Sequence, residues 1–246
     1  MGKIIIGTRI YNEPGGGSPC YSKLDRWVRL GLEHGDLLVI ATDAANFNAI
    51  SALETVRDAA DRLIIADSDP SNNFVRPLNH ILDIALSHRA HGLIYQSIEI
   101  DVRSDQIETL KDHLDEHTLV VGAKIVDNHG SAPGVVPLSG WDSPWNTLAL
   151  WNPQKLGMIG FPTISGGLLA DLPGGAEEVA VISLLQKLFS KSYQAKLVDV
   201  GPVHWDVNFE SVLRSRYHEE KLRSKSRRAA RQLEVLGLSP GIVSIL

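Results

Sequence analysis

Two kinds of apolar pattern alternate along the first half of this chain. Short, continuous apolar runs are typical of buried strands, and stretches whose apolar residues recur every three or four positions are typical of amphipathic helices. Their alternation predicts an α/β fold with a mostly parallel, Rossmann-like sheet covered by helices on both faces. Ligands of such sheets bind outside the carboxyl ends of the strands. The predicted strands span 4–6, 37–41, 63–66, 92–101 and 119–126.

Composition places the chain among ordinary globular proteins. Its 246 residues are enough for one α/β domain or two small ones, and 43% hydrophobic with 22% charged residues is a common balance. The single cysteine, Cys20, cannot form an internal disulfide, and the first apolar run, 4–6, is too short for a signal peptide or a membrane span. We therefore expect a cytoplasmic protein.

The segment from Arg214 to Arg231 is strongly basic, with eight Lys or Arg and two Glu in a chain whose net charge is -5. It predicts a basic helical extension over 210–246, after a main domain over 1–209. A solvated helix explains such a run, and so does docking on an anionic membrane, at its inner face, or on a neighbouring subunit. Its one aromatic residue, Tyr217, does not make a stacking platform, so we expect no specific nucleic-acid binding.

Two carboxylates spaced one residue apart end the apolar run that begins at residue 92. Because successive side chains of a strand point to opposite faces, Glu99 and Asp101 are predicted to share one face at the strand tip. Two carboxylates at such a place suit Mn²⁺ or Mg²⁺, which would also bind the phosphates of a substrate. A metal-bound nucleoside diphosphate is therefore the first ligand to consider, although strands also end in acidic residues simply because they end at solvent.

Other polar side chains follow the predicted strands at the same edge of the sheet. Asp43 is placed to recognise a nucleotide base, and Arg76 and Asn79, near the start of a helix, are placed to neutralise a diphosphate. Together with the carboxylates these groups predict a nucleotide pocket. The residues of this set that belong to the first strand or follow it are Thr8, Tyr11, Asn12 and Glu13.

The second half contains a long loop and a helix that begins with two acidic residues. The loop, 131–146, is rich in Gly, Pro and Ser and contains Trp141 and Trp145, whose faces suit a sugar ring. The helix begins at Glu177 and Glu178, and acidic residues in a first turn stabilise a helix through its dipole. From the residues alone, both a capping role and a further role for this pair stay open.

The order of these motifs resembles the GT-A nucleotide-sugar glycosyltransferases, and within them the family-2-like enzymes. The resemblance covers about residues 3–206 and is carried by short motifs. These motifs are TRIYNE at 8–13, similar to a first-strand P-x-Y-N-E; IATD at 40–43, similar to a base-binding strand end; NFVRPLN at 73–79, similar to a G-x-x-x-A-x-N helix start; EIDVRSD at 99–105, at the place of the metal-binding D-x-D; and GAEEV at 175–179, at the place of an acidic pair before a helix.

This resemblance implies a metal-dependent, inverting transfer of a sugar from a nucleoside-diphosphate donor to an acceptor hydroxyl. It implies that Asp101 and Glu99 hold Mn²⁺ or Mg²⁺, with His204 as a further ligand, and that Glu178, next to Glu177, supplies the catalytic base. The chain departs from the family pattern because Glu replaces Asp at 99 and 178, and because no Pro precedes the Tyr-Asn-Glu segment. A longer carboxylate changes the reach of the base by about one methylene.

Two other functions stay open at the level of sequence. One is a nucleotidyltransferase of similar fold, although the segment 7–17 lacks the dense arrangement of Gly, Arg and Lys that holds a triphosphate. The other is a non-catalytic protein that binds a nucleotide sugar. The sequence does not identify the base, the sugar or the acceptor.

Overall fold

The computed structural model describes residues 2–12, 19–68, 73–125, 132–169, 173–189, 192–209 and 212–246. Among these residues the strands are β1 (Ile4–Ile10), β2 (Leu37–Thr42), β3 (Leu63–Asp67), β4 (Gly92–Gln96), β5 (Ile100–Asp101), β6 (Thr118–Ala123), β7 (Gly134–Pro137), β8 (Leu148–Trp151), β9 (Gln194–Val198), β10 (His204–Trp205) and β11 (Ile242–Ile245). The helices are α1 (Tyr21–His34), α2 (Ala44–Ser51), α3 (Glu54–Asp58), α4 (Arg76–Ser87), α5 (Ser104–Asp112), α6 (Pro153–Leu156), α7 (Glu177–Phe189), α8 (Val212–Arg223) and α9 (Lys225–Leu236), and a short 3-10 helix spans Thr163–Gly166.

Nine of the strands that the structure describes form one mixed sheet, in the order β3-β2-β1-β4-β8-β6-β9-β11-β7. The strands β1 to β4 are parallel, as are β6, β9 and β11, whereas β7 and β8 run antiparallel to their neighbours. The predicted α/β fold with a mostly parallel sheet is confirmed. The strand order reverses between β1 and β4, and such a switch point leaves a crevice at the carboxyl ends of the strands.

Helices cover both faces of the sheet, and successive side chains of β1 pack against helices on opposite faces. Ile5 lies in one apolar cluster with Ile81 of α4, and Ile6 lies in a second cluster with Trp27 of α1. Gly7 lets α4 approach closely, since a Cβ there would lie 2.4 Å from Ile81 Cγ2. Burying large apolar side chains of this kind contributes about 1.5–3 kcal/mol each, so the two clusters fix α1 and α4 on opposite faces.

The strand predicted to end at Asp101 is shorter than its apolar run. β4 ends at Gln96, a turn follows, and β5 belongs to a separate two-stranded antiparallel sheet with β10. Glu99 lies in the turn and Asp101 in β5, so the prediction that they share the tip of one strand is wrong. The apolar run continues through the turn because Ile100 is buried in the same apolar cluster as Ile94 of β4.

The basic segment forms two helices, α8 and α9, rather than one solvated helix. Arg228, Ala229, Gln232 and Leu233 on α9 are buried, and β11 then joins the main sheet between β9 and β7. Through β11, the C-terminal segment therefore contributes a strand to the sheet of the predicted main domain. Their contact with an anionic membrane or a second subunit stays a prediction. Among the described residues, no helix combines the length and hydrophobicity that crossing a bilayer requires.

Candidate active site

A cavity of about 230 Å³ lies at the carboxyl ends of β1 and β4, where the strand order reverses. Its walls come from these strand ends, the loop before β8, the first turn of α7, and the facing sides of α8 and α9. It therefore brings the first strand of the sheet together with the basic C-terminal helices. In the part of the chain that the structure describes, the charged side chains of this wall are Arg9, Lys23, Glu99, Glu177, Glu178, Arg214, Lys221, Lys225 and Arg228.

Glu177 opens α7 and is almost completely buried in the cavity wall. Its Oε1 accepts a hydrogen bond from Asn146 Nδ2 at 3.0 Å and lies 4.0 Å from Arg9 Nη2. Burial acts to raise the pKa of Glu177, but Arg9 and the Asn146 hydrogen bond outweigh it, so the pKa lies below the ordinary value. Glu177 is therefore a charged acceptor that is already engaged by neighbouring side chains.

Glu178 is equally buried, and its partner is a lysine of α9. Lys225 Nζ lies 3.3 Å from Glu178 Oε1 and 3.4 Å from the centroid of the Trp145 ring. Burial raises the pKa of Glu178, Lys225 opposes this shift, and the charge of Glu177 adds to it, so the pKa ends above the ordinary value. Burial likewise lowers the pKa of Lys225, to about 8. A carboxylate whose pKa is raised toward neutrality suits a general base.

The loop that leads into α7 is held by two buried side chains of α9. Arg228 Nη1 donates to Gly174 O at 2.8 Å, and Gln232 Nε2 donates to Gly175 O at 2.8 Å. Gly175 has φ +111°, and Ala176 after it has φ +59°, which is an uncommon conformation for a residue with a side chain. The basic helix α9 thus fixes a strained turn that orients Glu177 and Glu178.

Glu99 lines the cavity, and both of its oxygens have partners. Its Oε1 lies 3.3 Å from Arg214 Nη2, and its Oε2 accepts a hydrogen bond from Ser97 Oγ. Asp101 lies outside the cavity wall, where its Oδ1 pairs with Arg26 Nε at 2.8 Å. His204 is exposed and lies opposite Asp101 in the β5–β10 pair.

Glu99, Asp101 and His204 do not form the divalent-metal site that the sequence predicts. Of the three predicted ligands only Glu99 lines the cavity, and the two carboxylates are each paired with an arginine. Among the described residues, no group of three or more His, Cys, Asp and Glu is close enough together to hold a metal ion. A small cation needs several oxygen ligands at about 2.0–2.6 Å, and the positive charges of Arg26 and Arg214 beside these carboxylates oppose its binding.

The other predicted binding residues are divided between the cavity and its surroundings. Thr8 and Tyr11 line the cavity. Asp43 caps α2 by accepting from Asn46 N and Nδ2, each at 2.9 Å, and Asn46 Nδ2 also donates to Asn12 Oδ1 at 3.1 Å. A base-binding role for this polar group stays a prediction.

Two predicted contacts to the diphosphate lie at the start of α4. Asn79 forms two hydrogen bonds with the backbone of Phe161, donating to its O at 3.0 Å and accepting from its N at 2.8 Å. Arg76 is exposed, and neither residue lines the cavity. Glu13 lies outside the described residues. The roles of these three residues in binding a donor stay predictions.

Several cavity residues were not singled out from the sequence. Arg9 belongs to the TRIYNE motif, which predicts no role for it, and Gln96 belongs to the apolar run before Glu99. The basic residues of α8 and α9 were identified only as a charged segment, because nothing local shows which of eight cations turn inward. The signal for these residues in the sequence is the excess of Lys and Arg between Arg214 and Arg231. Those that line the cavity are Arg214, Lys221, Lys225 and Arg228.

Comparison with solved structures finds similar folds at low sequence identity. GalNAc-T7, in a structure with UDP, GalNAc and Mn²⁺, gives a TM-score of 0.56 at 10% identity over 96% of this chain and 48% of that chain. The mannosyltransferase PcManGT from Pyrobaculum calidifontis, in complex with GDP-Man and Mn²⁺, gives 0.53 at 13% identity over 96% and 75%. The 4-diphosphocytidyl-2C-methyl-D-erythritol synthase from Anaerococcus prevotii gives 0.50 at 9% identity over 89% and 98%.

No model of a known family matches the chain, and no curated sequence does either. This chain spans about half the length of GalNAc-T7, which its fold most resembles among these three by TM-score. At such identities the likeness shows the fold alone, and activity has to be argued from the residues of the site. The family-2-like assignment stays a prediction. The chain has the GT-A type of α/β fold, shared with nucleotide-sugar glycosyltransferases.

Proposed function

We propose that this protein is a glycosyltransferase that moves a sugar from a nucleoside-diphosphate donor to an acceptor hydroxyl. The observation that carries the proposal is the position of Glu178. It is a buried carboxylate with a raised pKa, in the first turn of α7, facing a cavity at the switch point of a GT-A-type sheet. A general base for an acceptor hydroxyl needs this combination of protonation behaviour and access to a cleft.

In the proposed reaction, an acceptor hydroxyl attacks the anomeric carbon on the side opposite the diphosphate. The bond from that oxygen to the carbon forms while the bond from the carbon to the diphosphate oxygen breaks. The diphosphate leaves with the electron pair, and the hydroxyl proton passes to Glu178. The configuration at the anomeric carbon is therefore inverted. Arg9 lowers the pKa of Glu177 and Lys225 lowers that of Glu178, each against the effect of burial.

The cavity wall also carries a polar atom that suits a sugar. Gln96 is buried, its Nε2 donates to Ile100 O at 3.2 Å, and its Oε1 has no hydrogen-bond partner in the described part of the chain. A buried acceptor of this kind is satisfied when a ligand hydroxyl donates to it. Trp145 is less suited to stack on a sugar, because it is 2% exposed and Lys225 covers its ring.

The proposal is tested by substituting Glu178 with Gln. A thermal-shift screen of uridine, guanosine and thymidine diphosphates and their sugar conjugates first identifies the donor, because a bound ligand raises the apparent stability. Donor affinity should stay the same in E178Q, while release of the nucleoside diphosphate should fall by about 10²–10⁴-fold. Glu108→Gln, on the exposed face of α5, is the matched control and should keep full activity. Equal turnover in E178Q would refute the assigned base.

A second candidate is a nucleotidyltransferase, favoured by the likeness to the Anaerococcus prevotii synthase, 98% of which is covered. That activity would consume a nucleoside triphosphate and a phosphorylated acceptor and release pyrophosphate. A pyrophosphate-release assay with the four common triphosphates separates the two reactions. Binding of a nucleotide sugar without turnover in either assay would instead indicate a non-catalytic binding protein.

A further inference from the structure

The cavity contains more positive than negative charge. Among the described residues of its wall, six are Lys or Arg and three are Glu. Three of the cations face these glutamates, since Arg9 lies near Glu177, Arg214 near Glu99 and Lys225 near Glu178. A fourth, Lys23, pairs with Asp206 behind the wall. Two positive charges, those of Lys221 and Arg228, are left without a carboxylate among the described residues.

Of these two cations, Lys221 has the fewer polar contacts among the described residues. Its Nζ lies 4.0 Å from the centroid of the Phe74 ring and 5.2 Å from that of Tyr217, and it has neither a hydrogen-bond acceptor nor an ion-pair partner in the described part of the chain. Arg228 differs, because its guanidinium donates to backbone oxygens of Gly174 and of Lys221 itself. An ammonium on a cavity wall that contacts two ring faces and no acceptor among the described residues has three donors available for an anion.

The surroundings of this ammonium are unfavourable for its charge. Burial, with the nearby charges of Arg9 and Arg228, holds the pKa of Lys221 well below its ordinary value. A bound anion would reverse this effect, because an opposite charge within a few ångströms favours the protonated amine. The diphosphate of a nucleotide sugar carries two negative charges, which equals the number of cations left without a carboxylate.

We propose that Lys221, with Arg214 and Arg228 around it, binds the diphosphate of the donor directly, in the role that a divalent metal would otherwise have. This inference rests on the proposed function, which makes a diphosphate the leaving group. It also accounts for Glu99, whose carboxylate is held by Arg214 and Ser97, and for Asp101, which lies outside the cavity. The C-terminal helices thereby complete the donor site.

The test is titration calorimetry with inorganic pyrophosphate in the presence of EDTA, which needs neither sugar nor base. Wild-type protein should bind, Lys221→Met should bind at least about tenfold more weakly, and Lys221→Arg should stay near the wild type. Arg216→Met is the matched control, since Arg216 is an exposed cation of α8 outside the cavity wall. Binding that appears only with added Mn²⁺, or that is equal in K221M, would overturn the proposal.

Glu99→Gln gives a second test, for which direct binding and metal-mediated binding predict opposite changes. Removing the carboxylate takes one negative charge from the cavity wall and should strengthen pyrophosphate binding in EDTA, whereas loss of a metal ligand would weaken Mn²⁺-dependent binding. The outcomes also separate this inference from the proposed function. Pyrophosphate binding in EDTA without any sugar transfer would overturn the proposed function and leave the anion site standing. Sugar transfer that needs Mn²⁺ at every step would overturn the anion site and leave the proposed function standing.

Discussion

Lys225 Nζ lies between Glu178 Oε1, at 3.3 Å, and the face of the Trp145 ring, at 3.4 Å from its centroid. The lysine comes from the basic C-terminal helix and the glutamate from the helix that lines the sheet edge. The ring excludes water from one side of the ammonium, which strengthens its interaction with the carboxylate. This contact couples the charge of the C-terminal segment to the candidate base.

Replacing Lys225 with Met should move the acid limb of the pH–rate profile to higher pH. Lys225 lowers the pKa of Glu178 against the effect of burial, so its loss lets that pKa rise further. At a pH below this pKa, an increase of one in the pKa lowers the ionised fraction of Glu178 about tenfold. The rate should fall by the same factor. Lys225→Arg keeps the charge and should keep the profile near that of the wild type. An unchanged acid limb in K225M would mean that Glu178 is not the titrating base.

Replacing Lys221 with Met should stabilise the protein at neutral pH, by about 1–2 kcal/mol in free energy of unfolding. The pKa of Lys221 lies well below its ordinary value, so the unfolded chain binds this proton more tightly than the folded chain. The destabilisation by the charged amine is therefore complete below the folded-state pKa and disappears as the pH rises to the ordinary value of 10.5. Urea denaturation at several pH values checks this, and a gain that grows with pH would contradict it.

Replacing Gly175 with Ala should destabilise the protein by about 1–3 kcal/mol and reduce turnover. The backbone has φ +111°, where a side chain is strained, and a Cβ would lie 2.2 Å from Arg228 Nη1, so the guanidinium that holds Gly174 O has to shift. Gly134→Ala is the control, because Gly134 also has positive φ, but its Cβ would meet nothing within 4 Å in the described part of the chain. Thermal unfolding and turnover are measured together, and full activity in G175A would show that the turn does not position the glutamates.

Replacing Asn79 with Ala should lower the free energy of unfolding by about 1–3 kcal/mol, because it removes two hydrogen bonds to the backbone of Phe161. Phe161 packs edge-on against Tyr95 and Trp151, so the change also loosens this aromatic group. Asn48→Ala, at an exposed position of α2, is the control. Chemical denaturation measures the effect, and equal stability of the two variants would rule out this bracing role.

The sequence predicted strands correctly where a continuous apolar run is buried between two helical layers. Apolar runs such as 37–41 and 63–66 became β2 and β3 within a residue or two, because continuous apolar side chains leave a strand between two helical layers as the stable arrangement. The prediction for the run from 92 was wrong. Its apolar side chains are buried on both sides of a turn, and burial alone does not distinguish a strand that continues from one that breaks.

By itself, then, the sequence determined the α/β class, the edge of the sheet at which polar groups collect, and the acidic start of α7. Only the tertiary structure decided which charges meet there. It brought Lys221 and Lys225 from the C-terminal helices to Glu178 and the ends of β1 and β4, and it placed Asp101 outside the cavity. The physical reason is that periodicity reports which face of an element is buried, whereas pairing of charges depends on contacts between elements distant in sequence.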